Sequence, residues 1–198
     1  MNPQPAFTRA DPDERRQSLI EATARVLAEK GAAGVSVRAI CAEAGVSPGL
    51  LRHYFAGVSE AIAETYRWTG ARIADALKDS VDAAGDGARA RILAYLTASF
   101  RPPIASPDLL ASYIALWSLT RSDPAVAAVR EEVYRDYRAD LETLLVEWRP
   151  SLADPGLVAI ALTALIDGLW LELSLGDAPF APEQASALAE SWLDRLVG

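Results

Sequence analysis

Several side chains that could contact nucleic acid fall within the stretch AGVSPGLLRHYF, between Ala44 and Phe55. An arginine can donate two hydrogen bonds to guanine O6 and N7, serine and tyrosine hydroxyls can bond phosphate, and leucine can pack on a thymine methyl group. If the stretch is helical, the residues that face outward are Ser47, Gly49, Leu50, Arg52, His53 and Tyr54. These residue types favour contact with DNA over chemistry that makes or breaks bonds.

Catalytic and metal sites are not expected from the composition. The 198 residues include one histidine, His53, and one cysteine, Cys41. One residue of each type supplies neither a structural zinc site nor Cys-His chemistry, and a single cysteine forms no internal disulfide. We therefore expect no catalytic residue, no metal and no cofactor, and we interpret Cys41 as a core residue.

Two short helices joined by a tight turn would position the outward residues. Ser36 is placed to N-cap a helix, VRAICAEA, that ends at Gly45, and Ser47 is placed to N-cap a second helix with Pro48 at its first position. Such a pair, with glycine in the turn, forms a helix-turn-helix whose second helix lies in the DNA major groove. The apolar face that would hold both helices consists of Val37, Ile40, Val46, Leu51 and Phe55.

The remainder of the chain is predicted to be helical as well. Alanine, leucine and arginine dominate, and the alternation of β-branched residues that is typical of strands is scarce. Turn-forming segments rich in glycine and proline separate about nine helices, which gives an all-α fold. The predicted helices cover residues 13–29, 37–44, the segment starting at 48, 59–82, 89–100, 108–120, 124–148, 156–175 and 182–196.

Charge is unevenly distributed along the chain, whose formal net charge is −8. Residues 1–60 carry seven basic and seven acidic side chains, whereas residues 61–198 carry 12 basic and 20 acidic ones. A neutral segment with local arginines can meet phosphate, and an acidic body repels DNA from the wrong face. We expect a helix-turn-helix DNA-binding domain at 1–58, ordered from about residue 12, and a second, larger and more acidic domain at 59–198.

Membrane insertion and secretion are not indicated. No window approaches the roughly 18 uninterrupted apolar residues of a membrane-spanning helix. The beginning of the sequence, MNPQPAFTRADPDERR, lacks the basic-then-apolar order of a secretion signal. The expected location is the cytoplasm, with no membrane partner.

The run from Ser18 to Phe55, which ends in AGVSPGLLRHYF, resembles the DNA-binding domain of TetR-family repressors. The hallmark of that domain is a capped third helix that ends in His-Tyr-Phe or a near variant. Farther along, YIALWSLTRSDPAVAAVREEVYRDYRADL and ALIDGLWLELSL are similar to the regulatory domain of the choline-responsive subgroup. The resemblance implies a homodimer in which the last two helices of each subunit form a four-helix bundle, with a ligand pocket in each body.

The resemblance also implies roles for individual residues. The start of the second helix would lie near the DNA backbone, and the outward residues of the third helix would form the contact surface. Val58 stands where the family usually has a phosphate-binding lysine. The contact with phosphate would then fall to other residues of the DNA-binding domain and to a flexible N-terminal arm that contains Arg9, Arg15 and Arg16. The backbone-proximal residues are Ser36, Val37 and Arg38, and the substitutes for lysine are Arg38, His53, Tyr54, Arg9, Arg15 and Arg16.

A ligand pocket and a dimer surface are both predicted in the second domain. Aromatic residues at helical spacing are more often core than ligand contacts, but Tyr113 and Trp117 share one helical face. A carboxylate among aromatic rings, such as Asp167 near Trp170, would suit a cationic ligand. These four residues are the pocket candidates. The charged run REEVYRDYRADLE is expected to be a solvated helix face with no site.

The dimer seam offers a rival interpretation of Asp167. In this interpretation Asp167 and Gly168 both belong to the dimer seam, where glycine permits close approach of two helices. The sequence slightly favours the seam over the pocket for Asp167. The stretch LVAIALTALIDGLWLELSL is too apolar for one buried stripe, which suggests burial beyond the single chain. The dimer candidates are Gly168, Leu188, Trp192 and Leu196.

Three functions follow from these patterns. The first is a ligand-responsive repressor that binds a palindromic double-stranded DNA operator as a homodimer and is released by a small-molecule effector. The second is an all-α enzyme that uses the aromatic pocket. The third is a helical interaction module without DNA binding.

Overall fold

The computed structural model describes residues 12–198, and within that range the chain forms nine α-helices and no strand. The prediction of an all-α fold is confirmed, and the helix ends differ from the predicted ones by no more than two residues. A 3-10 turn at Ala32–Gly34 follows the first helix. The helices are α1 (Pro12–Lys30), α2 (Val37–Ala44), α3 (Pro48–Tyr54), α4 (Val58–Ala83), α5 (Ala88–Ala98), α6 (Pro107–Leu119), α7 (Pro124–Trp148), α8 (Pro155–Ser174) and α9 (Pro182–Val197).

The α2–α3 unit has the geometry of a helix-turn-helix. Ser36 Oγ accepts a hydrogen bond from the N–H of Ala39 at 3.1 Å, so Ser36 caps α2 as predicted. Gly45 ends α2 in the left-handed conformation, with φ 65°, which glycine adopts without steric cost. The prediction that the Ser47 side chain caps α3 is wrong: within the described residues its hydroxyl makes no cap hydrogen bond. The N–H of Leu50, which such a cap would bind, bonds instead to the Ser47 carbonyl at 3.0 Å.

A small core holds α1, α2 and α3 together as one unit, here called the head. Ile40, Leu51 and Phe55 are buried in it, as the sequence predicts, and Val37 and Val46 pack against it from partly exposed positions. Cys41 is also buried in this core, where burial raises the pKa of its thiol. The residues of this core are Leu19, Ile20, Ala22, Ile40, Cys41, Leu51, Phe55 and Ala61.

The helix α4 connects the head to a larger body formed by α5 to α9. It has 26 residues and is therefore about 39 Å long. Ala61 in its first turns belongs to the head core, whereas Tyr66 and Leu77 belong to the core of the body. One continuous helix thus contacts both cores.

Candidate DNA-binding surface and ligand cavity

The residues predicted to contact DNA lie on α2, α3 and the turns before them. Six are exposed, and three are partly buried because they also pack inward or lie at the edge of the head. Val37 and Tyr54 are among the latter, and both pack against the head core. The exposed residues are Ser36, Arg38, Ser47, Gly49, Arg52 and His53, and the partly buried ones are Val37, Leu50 and Tyr54.

Two arginines on this surface keep their charge available. Neither Arg38 nor Arg52 forms an ion pair with any residue in the described range. The carboxylate of Glu43 on α2 is held by Arg25 of α1, at 2.6 Å. Pairing with Arg25 neutralises the acidic side chain of α2, which leaves the outward side of the helix-turn-helix with unpaired positive charge. Such charge suits contact with phosphate and guanine.

Val58, which stands where a phosphate-binding lysine was expected, has a packing role. It is the first residue of α4 and contacts the cores of both the head and the body. Beside it, the Glu60 carboxylate accepts a hydrogen bond from the N–H of Ala56. A carboxylate at this helix start opposes phosphate binding, so the interaction with the DNA backbone must come from other residues.

Two of the three arginines that were assigned to a flexible N-terminal arm lie in a helix. Arg15 and Arg16 lie within α1, so the prediction that they belong to an arm is wrong. Arg16 forms an ion pair with Glu64 and lies over the ring of Phe55, with 5.3 Å between the guanidinium carbon and the ring centroid. Arg9 lies outside the described residues.

A cavity of about 320 Å³ lies in the body, between α4, α5, α6, α7 and α8. This volume is at the lower end of the roughly 300–1,000 Å³ that is usual for small-molecule sites. Its lining is rich in aromatic rings, and Tyr113 and Trp170 meet edge to face with 5.1 Å between centroids. The aromatic residues that line the cavity are Tyr95, Tyr113, Tyr134, Tyr137 and Trp170.

The four predicted pocket residues separate in the structure. Tyr113, Trp170 and Asp167 line the cavity, whereas Trp117 is not among the described residues that do so. The Trp117 ring lies behind the wall, 5.5 Å from Tyr113 and 6.2 Å from Trp170 between centroids. Trp117 therefore supports the orientation of the two rings that line the cavity.

The charged run on α7 contributes much of the lining, so the prediction that it is a solvated helix face is wrong for the residues that line the cavity. Tyr134 and Tyr137 line the cavity together with three of the acidic residues of the run, Glu132, Asp136 and Asp140. They recur at spacings of three and four, which place them on one side of a helix. That spacing within a charged run is the signal that sequence reasoning missed. The α7 residues that line the cavity are Glu132, Val133, Tyr134, Asp136, Tyr137 and Asp140.

Carboxyl groups outnumber basic groups in the lining of the cavity. Of the described residues that line it, Glu132, Asp136, Asp140 and Asp167 carry carboxyl groups, and Arg67 is the one arginine or lysine. Arg67 is already paired, because its Nε lies 3.1 Å from Glu132 Oε2. Asp136 is exposed and pairs with Arg135 at 3.4 Å, which leaves Asp140 and Asp167 as the lining carboxyl groups without an ion pair in the described range. These two groups give the cavity an excess of negative charge that favours positively charged guests.

Asp167 is the carboxyl group most affected by its surroundings. Burial raises its pKa to about 6, although the hydrogen bond from Tyr134 and the charges of Arg130 and Arg138 act in the opposite direction. Tyr134 Oη donates to Asp167 Oδ2 at 2.9 Å. The side chain is therefore oriented and largely ionised at neutral pH. The pKa of Asp140 is also raised, first by burial and then by its acidic neighbour Asp136.

Two residues of the lining carry hydrogen-bond donors that the described chain does not satisfy. They are Tyr137 Oη and Trp170 Nε1, both buried without a partner. A buried donor without a partner costs roughly 1–3 kcal/mol relative to a satisfied one. A bound molecule with an acceptor oxygen would remove that cost.

An exposed apolar face runs along α8, next to exposed residues of α9. The buried side of α8 packs in the core of the body, whereas Leu157 is 62% exposed and Leu175 is 63% exposed. By length and composition alone, α8 could span a membrane, with a mean hydropathy of 1.8. The residues of this face are Leu157, Ile160, Ala164, Gly168 and Leu171 of α8 and Leu175 directly after it, at spacings of three and four, and Glu172 of α8 is exposed beside them.

The predicted dimer residues differ in their exposure. Leu188 and Trp192 of α9 are exposed, as is Gly168 of α8. Leu196 is partly buried and packs against the core of its own chain. Asp167 and Gly168, which one interpretation placed together at the seam, face different surroundings: Asp167 lines the cavity and Gly168 lies on the exposed face.

Residues 19–60 match the family described as bacterial regulatory proteins, tetR family. Residues 88–198 match the family described as BetI-type transcriptional repressor, C-terminal. The chain belongs to the TetR family of transcriptional regulators. It is a DNA-binding regulator whose C-terminal part is the ligand-binding domain of BetI-type repressors, and this confirms the family and function predicted from the helix-turn-helix.

Relatives of this TetR-family chain extend over nearly its whole length. The HTH-type transcriptional regulator BetI of Burkholderia thailandensis is 30% identical over 187 residues, covering 92% of this chain and 93% of the relative. The crystal structure of a transcriptional regulator from Pseudomonas aeruginosa PAO1 is 40% identical and has a TM-score of 0.87, covering 99% and 96% of the two chains. A regulator from Saccharomonospora viridis, solved in complex with choline, shares the fold at 18% identity with a TM-score of 0.79, covering 92% and 96%.

Proposed function

We propose that the protein represses transcription as a homodimer that binds a palindromic operator and is released when a small organic cation occupies the cavity. The observation that carries the proposal is the composition of that cavity. Aromatic rings and four carboxyl groups line it among the described residues, and two of these groups, those of Asp140 and Asp167, form no ion pair in the described range. A quaternary ammonium ion is the class of effector that this lining suits best.

Physical reasoning on the cavity supports a permanently charged cation. A cation over an aromatic face gains roughly 0.5–2 kcal/mol, and a half-buried carboxylate such as Asp167 adds direct charge attraction. A quaternary ammonium ion has no N–H to leave unsatisfied among rings. The unpartnered donors of Tyr137 and Trp170 favour an effector that also carries a hydroxyl or carbonyl oxygen. Choline has both features, and it is the molecule in the Saccharomonospora viridis complex.

Calorimetric titration with choline tests the effector class. The matched control ligand is dimethylbutanol, which has the same shape with carbon in place of the charged nitrogen. We expect choline to bind the wild type and Asp167→Asn to weaken it about tenfold, or about 1.4 kcal/mol, with little effect on dimethylbutanol. Equal binding of the two compounds would show that charge does not select the effector.

The operator contacts are proposed to come from the exposed residues of α2 and α3. Arg52 would bind a guanine edge, and Tyr54 and Ser47 would bond phosphate. The free charges of Arg38 and Arg52 support this assignment. In a homodimer the two heads would bind half-sites that lie about one helical turn or a little more apart.

A duplex selected by the wild-type protein from a randomised pool provides the operator for the test. Arg52→Ala should weaken binding to this duplex about tenfold or more and relax the base preference at one position, since a bidentate contact is worth about 1–3 kcal/mol. Arg121→Ala is the matched control, because Arg121 is an exposed arginine in the body. The operator assignment fails if the two variants bind equally, or if the wild type selects no sequence. Saturating choline should weaken wild-type binding to the same duplex.

The homodimer is proposed to form through the exposed apolar face of α8 and α9. Gly168 supports this proposal, because a Cβ atom at this position would have no heavy atom of the described residues within 4 Å. Glycine inside a helix costs about 1 kcal/mol relative to alanine, so a reason for it outside the single chain is expected. Close approach of a second copy supplies that reason.

Ile160→Glu should give monomers in analytical ultracentrifugation, whereas Val146→Glu, at a similarly exposed apolar residue of α7, should leave the dimer intact.

The remaining assignments complete the proposal. The head comprises residues 1–58 and the body residues 59–198, and the protein acts in the cytoplasm without a membrane partner. The enzyme alternative is not favoured, because His53 lies on the head and Cys41 is buried in the head core, both outside the cavity. The function proposed for the cavity is therefore binding without chemical conversion.

A further inference from the structure

A chain of ion pairs runs along α4 from the ligand cavity to the DNA-binding head. At the cavity, Arg67 Nε lies 3.1 Å from Glu132 Oε2, and both residues line the wall. One turn nearer the head, Arg67 Nη1 lies 2.7 Å from Glu64 Oε1. Glu64 in turn pairs with Arg16 of α1. These contacts join α7, α4 and α1 in sequence.

The head end of this chain of ion pairs reaches α3, the second helix of the helix-turn-helix. The Arg16 guanidinium lies over the Phe55 ring, at 5.3 Å from the centroid. Phe55 is 2% exposed and ends α3, where its N–H bonds to the Leu51 carbonyl at 2.9 Å. A shift of Arg16 would therefore act on the residue that anchors the C-terminal end of α3 in the head core.

Glu64 is the centre of the chain because it is shared by two guanidinium groups. Burial acts to raise its pKa, but the hydrogen bonds from Arg16 and Arg67 outweigh burial, and the pKa is lowered. The carboxylate thus stays ionised and holds α1 and the middle of α4 at once. If Arg67 moves, one of the two partners of Glu64 is lost.

The cavity end of the chain lies at a tight helix crossing. One turn after Arg67, Gly70 packs so closely on α7 that a Cβ atom there would lie 2.8 Å from Val133 Cγ2. Gly70 and Val133 also line the cavity. The crossing of α4 and α7 is therefore next to the bound effector, and a small change in its spacing acts directly on the Arg67–Glu132 pair.

We propose that Glu64 and Arg67 are positioning residues that hold the head in its DNA-binding arrangement from the wall of the effector cavity. A cation that attracts Glu132 weakens its hold on Arg67, and the rearrangement passes through Glu64 and Arg16 to α3. The effector shifts a population of head arrangements by this route. The inference rests on the proposed function only in taking this cavity as the effector site.

The test breaks the chain at the cavity end and measures the head. Glu132→Gln removes the charge that attracts Arg67 and leaves one amide oxygen as an acceptor, and Glu131→Gln is its matched control. The two residues are neighbours on α7, and Glu131 neither lines the cavity nor forms an ion pair with a described residue. The readouts are hydrogen exchange of the α3 amides, which needs no DNA or effector, and affinity for the selected operator duplex. Both are measured on the full chain.

We expect Glu132→Gln to speed exchange of the α3 amides about two- to fivefold and to weaken operator binding by a similar factor, the range for a partly exposed ion pair. Glu131→Gln should do neither. In a Glu64→Gln background the effect of Glu132→Gln should vanish, because the chain is already broken. Equal exchange in the two single variants overturns the proposal, as does an effect that persists in the Glu64→Gln background. The hydrogen-exchange results can be interpreted even if the wild type selects no operator. Failure of the proposed chain of ion pairs is therefore distinguishable from failure of the proposed function.

Discussion

The ionised carboxylate of Asp167 is expected to reduce the stability of the folded protein at neutral pH. It is half-buried among aromatic rings, and its pKa is about 6 rather than the ordinary 3.8, chiefly because of burial. The variant Asp167→Asn removes the charge and keeps an oxygen that can accept the hydrogen bond from Tyr134. We therefore predict that Asp167→Asn is more stable than the wild type above pH 7.

The magnitude follows from the two pKa values. A tenfold difference in proton affinity is about 1.4 kcal/mol, so the difference between about 6 and 3.8 corresponds to about 3 kcal/mol. Between about pH 4 and pH 6 the folded state binds more protons than the unfolded state, so stability falls as pH rises through this window. The full cost is present above about pH 7, and below about pH 4 both states are protonated and the cost disappears.

The measurement is urea unfolding of both proteins at pH 5 and pH 8, at one protomer concentration because the proposed dimer would dissociate as it unfolds. At pH 8 we expect Asp167→Asn to exceed the wild type by about 1 to 3 kcal/mol in unfolding free energy, with a smaller gain at pH 5. A gain that is the same at both pH values, or a loss at pH 8, would falsify the assignment of this cost to burial of the ionised carboxyl group.

Three further predictions concern the effector site, the helix caps and the helix crossing. Choline affinity should rise with pH through about 6 and level off above 7, because the cation binds the ionised form of Asp167; titration calorimetry from pH 5 to 8 checks this. Ser36→Ala should lower the thermal stability of the head by about 1 kcal/mol through loss of the α2 cap, whereas Ser47→Ala should have little effect, and equal losses would contradict the cap assignment. Gly70→Ala should cost about 1 to 3 kcal/mol in urea unfolding by overpacking against Val133, and adding Val133→Ala should recover part of it; additive losses in the double variant would refute the steric explanation.

Local sequence signals predicted the helices and the helix-turn-helix well. Ser36, Gly45 and Pro48 act on the backbone within a few residues of themselves, and the ends of α2 were predicted correctly from them. Apolar residues such as Leu51 and Phe55 were predicted to be buried because helical spacing determines which of them share a face. Ser47 is the exception, since the choice between its hydroxyl and its carbonyl as the acceptor depends on details of the first turn.

The tertiary structure decided which residues make up the cavity. The run on α7 has the pattern of a solvated face, and only the packing of α7 against α4 and α8 turns Tyr134 and Tyr137 inward, whereas Asp140 lines the cavity from an exposed position. Trp117 and Tyr113 are aromatic residues on the same face of α6, and from the sequence both were expected to line the pocket. Trp117 is one helical turn farther along and lies behind the wall of the cavity. The sequence suggested that Arg16 binds phosphate. In the structure its guanidinium group donates instead to the carboxylate of Glu64 on α4, 48 positions away in the chain.

By itself, the sequence determined the elements and the family, because capping, helical periodicity and the motif ending in His-Tyr-Phe are local properties. It did not determine the inward or outward direction of polar residues in the body. Asp167 and Gly168 are adjacent in sequence, and only the packing of α8 directs one to the cavity and the other to the exposed face. That direction depends on which helices surround α8, and contacts between residues far apart in the chain establish it.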